Sequence, residues 1–145
     1  MMNEIAKDIL LIELRKLEEE IKAIPEEKLW KTTEGVSNSC GNLCLHLCGN
    51  LQHYLGATLG KTGYVRNRDA EFSTKNLPKD KLLYEIALTK DAVSKALSAL
   101  TENNLKQIYV QTFLGKEVTT EYYLVHTISH FDYHLGQINY LRRIL

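Results

Sequence analysis

The sequence has few residues that break helices and few that form covalent cross-links. Its 145 residues include two prolines, one tryptophan and three cysteines. Scarce proline leaves long stretches free to form helices, because proline interrupts the helical hydrogen-bond ladder. The cysteines are odd in number and all lie between positions 40 and 48, whereas a secreted disulfide framework spreads an even number along the chain. We therefore expect reduced thiols in a cytoplasmic protein.

The chain also lacks an excess of charge of one sign and a long apolar run. Lys and Arg number 18 and Asp and Glu number 18, which argues against a nucleic acid or an anionic membrane as partner. No apolar stretch reaches the length of a signal peptide or a transmembrane helix. The composition is 44% hydrophobic and 25% charged, as in globular proteins. We expect one domain spanning residues 1–145.

What the sequence does contain is hydrophobic periodicity that predicts four long helices. The first covers residues 3–24 and ends near Pro25, and the second runs from about 40 to 59. The third runs from about 77 to 100, and the last covers 121–145. The residues predicted to face inward from the first helix are Ile5, Ile9, Ile12, Leu14, Leu17 and Ile21. Four long helices are typical of an all-α, antiparallel four-helix bundle, which is the predicted architecture.

Two segments between the helices carry other signals. β-branched and aromatic residues cluster from 105 to 120 around Gly115, which predicts a short β-hairpin before the last helix. Glycines and alternating charges after position 59 predict a long loop. Arg66 and Arg68 in this loop have two interpretations, as ligands of a substrate carboxylate or phosphate or as solvated charges.

The last predicted helix carries His126, His130 and His134 at successive spacings of four. Neighbouring members share a helix face, but the first and third are separated by about 12 Å along the axis. Metal–nitrogen bonds of about 2 Å cannot span that separation, so one ion can take only two neighbours. His134 falls on the apolar stripe predicted to face inward, which favours the pair His130 and His134 as ligands. The same pair is also compatible with ordinary hydrogen-bonded core histidines.

The second helix offers His46 and His53, seven residues apart and nearly on one line with Asn42 and Asn50. This polar stripe is either a solvated helix face or the lining of a polar cavity. In the second case only one of the two histidines could join His130 and His134. Three imidazoles from two helices would leave a coordination position open to water or substrate, as catalytic metal sites require.

Two segments resemble the signature segments of the DinB-like superfamily. They are Gly41-Asn42-Leu43-Cys44-Leu45-His46-Leu47 and residues 126–138, in which His130 and His134 precede Gly-Gln-Ile. The resemblance extends over the whole chain and implies a four-helix bundle, often dimeric, that holds a divalent metal ion. Carried over to this sequence, it implies the ligands His46, His130 and His134 and gives no catalytic role to His53 or His126.

The resemblance also implies a function. Enzymes of this superfamily include metal-dependent transferases of low-molecular-weight thiols and a thiol-dependent isomerase. We therefore expect a metal-dependent thiol S-transferase or hydrolase, a homodimer that acts on a small molecule, with catalytic residues unassigned. The alternative is a noncatalytic stress-response or binding protein with a structural metal or none. Imidazole suits several metals, and zinc or nickel is expected here.

Three further residue sets are interpreted from their positions. Cys44 and Cys48 are each two residues from His46, about 200° around the helix, and are interpreted as packing residues instead of ligands. Gly136 predicts close helix packing beside the site. Gln137 either forms a hydrogen bond near the metal or lies on the surface.

Overall fold

A computed structural model describes residues 1–145, and its regular structure is entirely helical. The helices in chain order are α1 (Met2–Ala23), α2 (Cys40–Leu51), α3 (Arg68–Ser73), α4 (Lys79–Ser98), α5 (Glu102–Lys106) and α6 (Thr120–Ile144). A 3-10 turn, Glu26–Lys28, follows α1, and a π-helical segment, Gln52–Ala57, continues α2. The predicted all-α class is confirmed. None of the helices has both the length and the hydrophobicity that a membrane crossing requires.

Short polar side chains set where several helices begin. Ser39 accepts a hydrogen bond from the backbone of Asn42 at the start of α2, and Thr119 does the same for Tyr122 at the start of α6. Thr101 begins α5 with a reciprocal capping box. These caps satisfy backbone donors that the first helical turn leaves unpaired. Both helices that carry the candidate histidines therefore have a sequence-defined start.

The four long helices, α1, α2, α4 and α6, pack around a common core, and two neighbouring pairs among them are antiparallel. The side chain of Asn3, at the start of α1, donates to the carbonyl of Leu97 near the end of α4, 3.0 Å away. Cys40, at the start of α2, lies 3.7 Å from the carbonyl of Ile138 near the end of α6. In these two pairs the expected antiparallel direction is confirmed.

The other two neighbouring pairs run parallel, so the prediction of a fully antiparallel bundle is wrong. Glu20 near the end of α1 accepts from Asn139 near the end of α6, at 2.7 Å. The second parallel pair is α2 and α4. Gln52, in the π-helical continuation of α2, contacts Glu85 of α4, and further along both helices Gly56 lies against Ala92. The connections at 24–39 and 58–78 are long enough to cross the bundle. Helices that follow one another in the chain can therefore be parallel, or can lie apart in the bundle.

The predicted β-hairpin is absent. Residues 107–119 form only two isolated antiparallel bridges, Ile108 with Thr119 and Phe113 with Lys116. Val110 and Leu114 are 82% and 86% exposed, and Tyr109 is the one buried side chain of the segment. A single buried side chain does not form the continuous apolar face that stabilises two strands. The β-branched composition was therefore a misleading signal at this position.

The inward face of α1 also differs from the prediction. Ile5 and Ile9 are 55% and 36% exposed, while Ala6 and Leu10 are fully buried. One position along a helix is a rotation of about 100°, so the predicted stripe was displaced around the helix in its first half. The second half of the prediction is confirmed at Leu14, Leu17 and Ile21, which are buried. The displaced isoleucines leave an apolar surface on α1.

Candidate metal centre

Three histidines from two helices converge at one point of the bundle. His46 lies on α2, and His130 and His134 lie one turn apart on α6, which packs antiparallel to α2. One ring nitrogen from each lies within 4.8 Å of the others. The Nε2 atoms of His46 and His130 are 3.2 Å apart, and the three ring centroids are separated by 4.7 to 5.1 Å. The group can hold a metal ion.

The separation between two of the three rings suits a tetrahedral ion. Two nitrogens bound to such an ion at about 2.0–2.1 Å lie about 3.3 Å apart. The 3.2 Å separation between His46 and His130 matches that spacing. Nδ1 of His130, the ring nitrogen that does not face His46, is buried without a hydrogen-bond partner, so no second side chain fixes the orientation of this imidazole. The donor set therefore fits a divalent ion that accepts imidazole ligands.

The two candidate ligand rings on α6 favour the neutral state. Burial lowers the pKa of His130 to about 4, and repulsion from His134 and His46 adds to the effect. Burial also lowers the pKa of His134, although its hydrogen bond to Gln137 acts in the opposite direction. Neutral imidazole is the form that coordinates metals, so neither ring must lose a proton at neutral pH.

The orientation of His134 is set by a residue on its own helix. The Oε1 atom of Gln137 lies 2.7 Å from Nδ1 of His134 and accepts its hydrogen bond. This contact leaves Nε2 of the same ring free to face the other two histidines. Gln137 lies on the surface and also forms this hydrogen bond beside the site, so both of its interpretations hold. His134 itself lies beside the buried stripe of α6, where Leu135 is the inward-facing residue instead.

The orientation of His46 depends on a residue that the sequence interpretation missed. Nδ1 of His46 lies 3.0 Å from Oε1 of Glu71, and both side chains are buried. Arg66 donates from Nε to Oε2 of Glu71 at 2.8 Å and from Nη2 to Oε1 at 2.9 Å. Glu71 lies in the region predicted to be a loop, 25 residues from His46 and without periodicity, so no sequence signal linked the two.

Helix α3 brings Glu71 to the site, and α2 holds this helix in place. The buried side chain of Asn42 donates to the carbonyls of Glu71 and Thr74, at 3.0 and 2.8 Å. Burial acts to raise the pKa of Glu71, but hydrogen bonds from His46 and Arg66 outweigh it, so the pKa lies below its ordinary value. The polar stripe of α2 therefore faces the protein interior at His46 and Asn42, and the solvated alternative is wrong there.

A cavity of about 430 Å³ borders the three histidines. Its aromatic and charged walls include Tyr54, Arg66, Arg68, Phe72, Phe113, Tyr123 and His126, and no carboxylate lines it. Arg66 is engaged by Glu71, whereas Arg68 lies over the Phe72 ring, 5.1 Å from its centroid, and forms no ion pair. The cavity therefore offers a free cation close to the histidines.

The other two candidate histidines stay outside the ligand group. His53 is not in the cavity wall and packs on Tyr54, with ring centroids 4.7 Å apart. The π-helical segment begins at Gln52 and alters the rotation per residue, so Tyr54 faces the cavity although His53 continues the α-helical line of His46. His126 does line the cavity, against Phe113 at 4.3 Å, but its ring is 6.3 Å from that of His130.

The remaining expectations concern cysteine and glycine. Cys40, Cys44 and Cys48 are free, buried and absent from the ligand group, in agreement with a packing role. Burial raises the pKa of Cys40 to about 11, which keeps its thiol protonated. The expected close packing at Gly136 is wrong, because this residue is exposed and an added Cβ would meet nothing within 4 Å.

Comparison with known proteins identifies relatives of this fold. The sequence matches the family described as "Protein of unknown function (DUF1572)" over residues 4–145. Similar solved structures include the crystal structure of a DinB-like protein from Bacillus cereus ATCC 10987, with a TM-score of 0.70 and 17% sequence identity. That similarity covers 90% of this chain and 84% of the Bacillus chain. No curated protein matches the sequence.

Proposed function

The chain belongs to the DUF1572 family and has the DinB-like fold, and on this premise we propose that it is a metal-dependent enzyme of the thiol S-transferase or hydrolase type. The proposal is carried by the convergence of His46, His130 and His134 beside an open cavity. Catalytic zinc sites use three protein ligands and leave one position for water or substrate, whereas structural sites use four. The three-donor group therefore favours catalysis over a structural metal.

The roles of the surrounding residues follow from their contacts. His46, His130 and His134 would hold the ion, with zinc or nickel as the proposed metal. When bound, a divalent cation supplies a Lewis acid that lowers the pKa of a thiol or water and so provides a nucleophile at neutral pH. Gln137 and Glu71 orient two of the three rings through their Nδ1 atoms. Oriented rings keep the donor atoms in place for catalysis.

The cavity wall suggests the kind of substrate. Arg68 supplies a free guanidinium, and no carboxylate in the wall opposes an anion. Phe72 connects this guanidinium to the metal position, because its ring lies 4.9 Å from that of His46. A small thiol or electrophile that carries a carboxylate or phosphate could contact the Arg68 guanidinium and the metal position at the same time. We therefore propose an anionic small-molecule substrate.

The resemblance gives His126 no catalytic role, but its place in the cavity wall leads us to propose that it transfers a proton. Burial lowers the pKa of His126, so its ring is neutral at pH 7 and able to accept a proton. It lines the same cavity as the three ligands without joining them. In the proposed reaction it accepts the proton that the thiol or water loses.

A homodimer is also proposed. Ile5 and Ile9 on α1 and Val125 on the neighbouring α6 are exposed apolar residues that a second copy could cover. Sedimentation equilibrium tests this: the proposal predicts twice the 16.6 kDa chain mass, and a monomer at all concentrations would contradict it.

The function is tested by metal analysis and turnover with untagged protein. Wild type should bind one zinc or nickel ion per chain and react small thiols with electrophilic acceptors, or hydrolyse ester substrates, only when loaded. His46→Ala and His134→Ala should lose both properties, while His53→Ala, a histidine outside the site, should keep them. Stoichiometric metal without any turnover would favour the noncatalytic alternative. Metal that survives both ligand substitutions would remove the proposed site.

A further inference from the structure

A buried carboxylate and guanidinium lie directly behind His46, on the side of the ring away from the other two histidines. The Glu71 carboxylate contacts His46 Nδ1 at 3.0 Å through Oε1, while Arg66 contacts both carboxylate oxygens. The exposed fractions of these side chains are 6% for Glu71, 7% for His46 and 10% for Arg66. Removing three such groups from water is costly unless each one is paired, and here each one is.

The space for this carboxylate depends on a glycine. A Cβ added at Gly49, one turn from His46 on α2, would lie 2.0 Å from Oε2 of Glu71 and 2.7 Å from its Cδ. Real Cβ contacts are never that short, so any larger residue at this position would displace the carboxylate. The second helix thus carries both the ligand and the recess that receives its partner.

We infer that Glu71, fixed by Arg66 and the Gly49 recess, is a positioning residue that holds His46 in the Nδ1-protonated tautomer with Nε2 directed at the metal. This inference rests on the proposed metal site and adds a residue pair that controls it. A carboxylate that accepts from Nδ1 leaves Nε2 as the unprotonated, metal-binding atom and increases its basicity.

Arg66 has a separate part in this arrangement. Its two hydrogen bonds occupy both carboxylate oxygens and compensate the charge, which keeps Glu71 from turning away from His46. Its Nη2 atom also lies 3.4 Å from Nδ1 of His46, so the guanidinium closes the space beside the ring. Arg66 therefore acts on the metal site through Glu71 and not as an anion ligand for substrate.

The first test needs no metal. Long-range ¹H–¹⁵N NMR of the metal-free protein at pH 7.5 reports which ring nitrogen of His46 is protonated, with His46→Asn used to assign its signals. Wild type should show the Nδ1-protonated tautomer, and Glu71→Ala should shift His46 toward the Nε2-protonated tautomer that predominates in free histidine. An Nε2-protonated His46 in wild type, or a tautomer unaffected by Glu71→Ala, would overturn the inference.

The second test measures zinc affinity by competition with a chelator. Glu71→Ala should weaken binding by about 10- to 100-fold, the range typical of lost outer-shell partners, with a smaller loss for Glu71→Gln, which keeps the shape. Glu20→Ala is the matched control, because Glu20 also bridges an arginine and an amide between helices but contacts no histidine. A purely structural role for Glu71 predicts destabilisation in both alanine variants and unchanged zinc affinity in both.

The outcomes separate this inference from the proposed function. Zinc affinity equal in wild type and Glu71→Ala would overturn the inference while leaving the enzyme proposal intact. Stoichiometric zinc without turnover would overturn the enzyme proposal and leave the positioning role intact. A wild-type protein that binds no zinc would overturn the inference together with the site. Should Glu71→Ala fail to fold, Glu71→Gln carries the comparison, and an unchanged tautomer together with unchanged zinc affinity in this variant contradicts the role.

Discussion

Replacement of Gly49 by alanine should destabilise the protein even though alanine is the better helix former. The new Cβ would lie 2.0 Å from the Glu71 carboxylate, which must then leave its contacts with His46 and Arg66. A hydrogen bond to a charged group contributes about 1.5–3 kcal/mol, and one or two would be lost. The change from glycine to alanine inside a helix returns about 1 kcal/mol. The expected net loss is about 0.5–2 kcal/mol if one hydrogen bond is lost and about 2–5 kcal/mol if both are lost.

Gly136→Ala is the matched control for this substitution. Gly136 also lies inside a long helix, but an added Cβ there meets nothing within 4 Å. This variant should gain about 0.5–1 kcal/mol from helix propensity alone. Urea denaturation of the metal-free proteins, followed by circular dichroism, should separate the two variants by about 1–6 kcal/mol with similar m-values. Equal stability of the two variants would refute the placement of the Glu71 carboxylate against Gly49.

Three further predictions concern pH, the attachment of α3 and substrate charge. The folded-state pKa of His130 is about 4, below its ordinary 6.5, so its contribution to stability is complete above pH 6.5 and is lost as the pH falls toward 4. Discounted for partial exposure, the loss is about 1–2 kcal/mol. Urea midpoints of the metal-free protein should show it, and a His130→Asn variant with the same acid sensitivity would contradict the assignment. Asn42→Ala removes both hydrogen bonds that hold α3. Hydrogen exchange in residues 68–74 should therefore accelerate at least tenfold, since about 1.4 kcal/mol corresponds to a factor of ten. Unchanged exchange would contradict the anchoring role. Arg68→Ala should raise KM for anionic substrates roughly tenfold and leave neutral analogues unaffected, and an equal effect on both would exclude the anion-binding role.

The helices were predictable because their signals are local. Cap residues and the scarcity of proline define α2 and α6 within a few residues of their observed bounds. The direction in which helices pack was not predictable, because it depends on where the connections at 24–39 and 58–78 cross the bundle. The same holds for Ile5 and Ile9, since a stripe at helical spacing does not say which neighbouring helices will cover it.

The residues of the candidate site also differ in how far the sequence could predict them. The spacing of His130 and His134 on one helix marks a ligand pair from the sequence, whereas His46 needed the resemblance to a family, because the bundle alone brings α2 to α6. Glu71 carried no signal, since its contact with His46 joins an irregular segment to a helix. The choice between His53 and Tyr54 as cavity residues depends on a π-helical segment that no periodicity predicts.

X-ray absorption spectroscopy of the zinc-loaded wild-type protein tests the central claim most directly. Three imidazole ligands at one ion predict nitrogen scatterers at about 2.0–2.1 Å, outer-shell signals of three histidine rings, and no sulfur. Sulfur at about 2.3 Å would show that the cysteines of α2 bind the ion instead. That result, or a signal from only one histidine ring, would contradict a metal centre formed by His46, His130 and His134.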